Sequence, residues 1–81
     1  QFDAAIHLFQ QAIEIYFEQN NPVKAAIVLE IIGVTFEQQG HFQEALEKYQ
    51  EALRLFKQYS HKGDWERTER NIARVKAKLG R

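Results

Sequence analysis

The fold is decided by residues 29–52, LEIIGVTFEQQGHFQEALEKYQEA, where two helical patterns meet at a glycine. Leu29, Ile32, Gly33 and Phe36 recur at helical steps before Gly40, and Ala45, Tyr49 and Ala52 recur after it. Small residues at such steps are where two helices touch, and the large ones fill the space around them. Gly33 lies inside a helix, where it costs about 1 kcal/mol relative to alanine. Close approach of another helix is the best reason to keep it. Gly40 suits a helix C-cap, and so short a connection makes the flanking helices antiparallel neighbours.

The same periodicity extends to both sides. Helices are predicted over residues 2–19, 22–39, 42–59 and 65–79. In the first, Phe2, Ala5, Ile6, Phe9, Ala12, Ile13 and Tyr16 form the apolar face, and Leu8, Ile15 and Phe17 widen it to most of the circumference. A helix apolar nearly all round expects neighbours on more than one side. Asn20-Asn21-Pro22 stops it, with Pro22 suited to the first turn of the next helix. The second helix should bury Ala25, Ala26, Val28, Leu29, Ile32, Gly33 and Phe36. The third should bury Phe42, Ala45, Leu46, Tyr49, Ala52, Leu53, Leu55 and Phe56, with Glu44 and Lys48 paired on its surface. Asp64 is the expected N-cap of the last helix, whose apolar stripe is narrow: Trp65, Ile72, Val75 and Leu79.

The chain repeats itself at an offset of 40 residues. Phe2 matches Phe42, Ala5 matches Ala45, Phe9 matches Tyr49, Ala12 matches Ala52, Ile15 matches Leu55 and Tyr16 matches Phe56. Ile32 matches Ile72, Gly33 matches Ala73 and Gly40 matches Gly80. The first helix thus recurs as the third and the second as the fourth, two units cut out of phase. The architecture expected is all-α: antiparallel helix pairs of an α-solenoid, in a single domain spanning residues 1–81.

These positions resemble the tetratricopeptide repeat family, in its longer-period variety. The family pattern W-x2-L-G-x2-Y is met by Leu29, Ile32, Gly33 and Phe36, with leucine for the tryptophan. The second-helix pattern A-x3-F/Y-x2-A is met by Ala45, Tyr49 and Ala52, and again by Ala5, Phe9 and Ala12. Lys57 stands where the family places a proline, so the third helix should run on. Glu69 and Lys76 replace Leu29 and Phe36 one repeat on, as in a polar cap that ends an array.

The resemblance implies a concave groove lined by first helices that binds a segment of a protein partner. Carried over by position, the groove comprises Ile27, Glu30, Ile31, Val34, Glu37 and Gln38, then Arg67, Arg70, Asn71, Arg74 and Lys78. Arg67, Arg70, Arg74 and Lys78 fall on one helix face. Arginine forks suit carboxylates and phosphates, although the solvated face that a terminal helix needs is the better account of the stripe. The family's carboxylate clamp is not assigned, because Ile31 sits where its middle asparagine belongs. Self-association is the alternative function. Ala5, Phe9 and Ala12 should face a helix that this chain lacks, and their apolar strip suits a homodimer with first helices face to face.

Composition narrows the remaining classes. Net charge is zero, although residues 1–63 sum to minus three and residues 64–81 to plus three. A neutral domain without aromatics interleaved in its arginine stripe is a poor nucleic-acid binder. There is no cysteine, no membrane-length apolar run and no signal peptide, so a cytoplasmic protein with no membrane partner is expected. His7, His41 and His61 have no metal-pair spacing, no Gly-rich phosphate loop is present, and no nucleophile is set beside a base. No catalytic residue, metal or cofactor is therefore expected, and the protein is read as a non-enzyme.

Overall fold

The computed structural model describes residues 2–80. Four helices follow one another: α1 (Phe2–Glu18), α2 (Pro22–Gln38), α3 (Phe42–Gln58) and α4 (Lys62–Leu79). They form the all-α stack of antiparallel pairs that the repeat implies, and among the described residues there is no strand. The stack is a slab of 38 × 32 × 14 Å.

Each helix begins 20 residues after the one before, because each turn is built the same way. Asn20, Gly40 and Ser60 take positive φ values of 56°, 78° and 59°. That left-handed residue lets its own N–H and the next one reach back to the last helical carbonyls. The amides of Asn21, His41 and His61 donate to the carbonyls of Tyr16, Phe36 and Phe56 at 2.8, 2.9 and 2.8 Å. Asparagine tolerates this conformation; at Ser60 a β-carbon is held there at some strain.

This turn corrects the expected start of the last helix. α4 begins at Lys62, not at residue 65, and its N-cap is His61. Gly63 and Asp64 are already helical. The turn at Ser60 fixes the start three residues earlier than the cap preference of Asp64 suggests. Asp64 gains a different role in the first turn, where its carboxylate meets the positive end of the helix. It accepts from His61 Nδ1 at 3.3 Å and from Arg67 Nη1 at 2.8 Å.

Two clusters hold the slab together, and α3 contributes to both. Ala45, Leu46, Tyr49, Ile72 and Val75 form one, flanked by Phe36, Phe42, Leu53 and Leu79. Ala26, Leu29, Ala52 and Phe56 form the other, flanked by Ile13, Val23, Leu55 and Trp65. Gly33 lies between them. A β-carbon there would sit 2.6 Å from Tyr49 Cε1, so α2 and α3 are in contact through the tyrosine ring.

Some details differ from the sequence reading. Thr68 is fully buried in α4, while Trp65 is only partly so. Thr68 can be buried because its hydroxyl donates back to the Asp64 carbonyl at 2.8 Å. Lys48 pairs with Glu51 at 3.4 Å and not with Glu44, which faces His41 instead. No described helix is long and apolar enough to cross a membrane.

Candidate protein-binding groove

α2 buries most of its circumference against α1 and α3, which leaves one face uncovered. That face presents Ile27, Ile31 and Val34, with 38%, 41% and 37% of their surface exposed. α4 stands across from it. Between them lies an open hollow of about 410 Å³. Seven of the eleven groove residues inferred from sequence line it: Ile27, Glu30, Ile31, Val34 and Gln38 from α2, and Arg67 and Asn71 from α4. Thr35 is an additional lining residue, and its hydroxyl is turned onto the Ile31 carbonyl at 2.9 Å.

The polar wall corrects the expectation of a free basic stripe. Arg67 Nε lies 3.1 Å from both oxygens of Glu30, and its Nη2 donates to the same carboxylate. Arg74 holds Glu37 through Nε at 2.6 Å and Nη2 at 2.8 Å. Asn71 joins the two pairs: its amide donates to Glu30 at 2.9 Å, and its carbonyl accepts from Arg74 at 2.9 Å. The Thr68 hydroxyl lies 3.2 Å from Glu30, although its one proton goes to the nearer Asp64 carbonyl. Tyr49 closes the far end, its hydroxyl donating to Glu37 at 2.7 Å. Lys78 leans over the Phe42 ring, 5.4 Å from its centre. Arg70 is exposed and is not among the residues that line the hollow.

Glu30 is the residue whose role is least apparent in the sequence. Its side chain is only 8% exposed, and a buried carboxylate is stable only with a full set of donors. α4 supplies them. The signal was present as two acids and two arginines at matching steps of seven, Glu30 and Glu37 against Arg67 and Arg74, each pair 37 residues apart.

The network moves the titrations of its members. The bond from Arg74 holds the Glu37 carboxyl below its ordinary value of 4.5; burial opposes this, while Tyr49, the charge of Arg74 and Lys78 reinforce it. Burial pushes the Tyr49 phenol up, and the neighbouring Glu37 adds to the shift. Their carboxylate partners likewise raise Arg67 and Arg74. All four groups therefore keep their charge states through the neutral range.

Ala5, Phe9 and Ala12 lie outside the groove, on α1. They are partly buried rather than open, because α2 shields one side of them. Their counterparts Ala45, Tyr49 and Ala52, flanked by helices on both sides, are 0% exposed. The most exposed apolar side chains of α1 are Leu8 at 63%, Ile15 at 50% and Phe17 at 46%.

Stacked antiparallel helix pairs with a groove between alternate helices define a helical-repeat protein, of a kind that works through contact with other proteins. The chain belongs to the SNAP family, soluble NSF attachment protein, whose family model matches residues 1–81. Comparison with curated proteins and with solved structures gives no match.

Proposed function

We propose that this is a non-catalytic interaction module of tetratricopeptide-like build, whose α2–α4 groove binds a segment of a partner protein. The observation that carries it is the exposed row Ile27, Ile31 and Val34, set in a hollow whose opposite wall is rigidly cross-linked. Apolar side chains exposed in a row inside a concavity are characteristic of binding sites. The family name, an attachment protein, agrees with this adaptor role. Pairing of Arg67 and Arg74 with carboxylates argues against nucleic acid as the ligand. Selection of a random 16-residue display library on the domain tests the reading. Peptides enriched on the wild type and lost on Ile31→Glu support it. No enrichment, or enrichment that Ile31→Glu leaves intact, overturns it.

A second reading, self-association through α1, has its own observation: residues fully buried in α3 are partly open at the matching positions of α1. A face-to-face pair of α1 helices would cover them, with Leu8 and Ile15 at the margin. Light scattering checks this. A wild-type mass of two chains that falls to one in Phe9→Glu supports the dimer; a wild-type mass of one chain at high concentration removes it.

A further inference from the structure

Most of the polar groups that border the groove are already bonded, with the exposed Gln38 as the exception among the lining side chains. Arg67 gives Nε and Nη2 to Glu30 and Nη1 to Asp64. Arg74 gives Nε and Nη2 to Glu37, and Asn71 is engaged at both ends of its amide. The Thr35 hydroxyl is closed onto its own helix. What remains presented is the apolar row of Ile27, Ile31 and Val34, spaced as one stripe of a helix.

Two consequences follow for any occupant. An extended peptide brings main-chain N–H and C=O groups that need partners from the walls. Of the side chains that could serve it, Glu30, Thr35, Arg67 and Asn71 are occupied, which leaves the single amide of Gln38 for a whole main chain. A helix satisfies its own backbone and asks only for apolar contact. The second consequence concerns charge. An acidic segment would have to take Arg67 from Glu30, which would then be a buried carboxylate missing its main donor. Along this wall three carboxylates, Asp64, Glu30 and Glu37, already face two guanidinium groups.

We infer that the groove takes an amphipathic helix of the partner protein, laid with its apolar stripe on Ile27, Ile31 and Val34 and carrying no carboxylate over Arg67 and Arg74. Glu30 and Glu37 are the specificity-determining residues, because they cancel the arginines. The inference rests on the groove reading above and specifies its ligand. Peptides recovered in an Ile31-dependent way from the display library are synthesised with and without two glutamates beside their apolar stripe.

The expected result is apolar residues at helical spacing, gain of helical circular dichroism on binding, and affinity about tenfold weaker for the glutamate versions. Glu37→Gln, which keeps an acceptor for Tyr49, narrows that gap. Recovered peptides that are acidic, that bind without gaining helix, or that tolerate the glutamates overturn the inference and leave the groove reading standing. Absence of any Ile31-dependent peptide overturns both. The comparison of neutral and acidic peptides on the wild type needs no variant to fold.

Discussion

A methyl group at Gly33 would stand 2.6 and 2.7 Å from two carbons of the Tyr49 ring. The ring cannot yield, since it is fully buried and tethered to Glu37 through its hydroxyl. Gly33→Ala, which raises helix propensity, should therefore lower stability, by about 1–3 kcal/mol from overpacking. A thermal melt settles the sign: a Tm above wild type would mean the ring moves freely. Sequence shows that something approaches this glycine, because a mid-helix glycine has few other uses. It does not show that the approaching group is a ring rather than a backbone. At Glu37 the expected outcome concerns pH. Its folded pKa is depressed, so its contribution to stability is whole above the unfolded value of 4.5 and is lost as pH falls through the lower, folded value. Urea melts across that acid range should show the loss, and Glu37→Gln should flatten it.

Among the helices, α4 departs furthest from its sequence reading. Its apolar stripe is thin, and charged residues on a helix are ordinarily solvated, so Arg67 and Arg74 read as a free basic face. They are ties to α2. The reading fails because helical periodicity reports which residues are apolar, and Glu30 is a charged residue at a buried position. Only the cross-helix pairing of charge could have revealed it. The start of α4 is missed for a similar reason: Asp64 is a good N-cap by type, but the turn at Ser60 acts first. Arg67→Ala should cost about 2–3 kcal/mol, because it strips a buried carboxylate of its main donor while Asn71 remains. Arg70→Ala, at an exposed position, should change stability by less than about 0.5 kcal/mol. Denaturant midpoints of the two variants test the contrast directly.

Across the molecule, cohesion is uneven. α3 lies against both α2 and α4, while α1 rests chiefly on α2. Each helix pair of such a stack is stabilised mainly by its neighbours, so α1 should open first. Hydrogen exchange should find the amides of α1 least protected and those around Ile32, Tyr49 and Ala52 most protected. Uniform protection along the chain would contradict this. The helix pairs were legible in the sequence because they rest on periodicity and on the 40-residue echo, whereas the apolar positions beside the hollow came from the resemblance to tetratricopeptide repeats. The bonding within the polar wall was not legible, since it depends on which helices face each other.

The turns at Asn20, Gly40, Ser60 and Gly80 share one backbone form at equal intervals along the chain. In genetic terms this makes the two halves interchangeable at their seams. Unequal crossing-over between matching codons would insert or remove 40 residues while every helix kept its start and its stop. A slip of 20 would set two helices of the same kind side by side, facing Gly33 with no ring to receive. Such a chain can change length freely, but only in whole units.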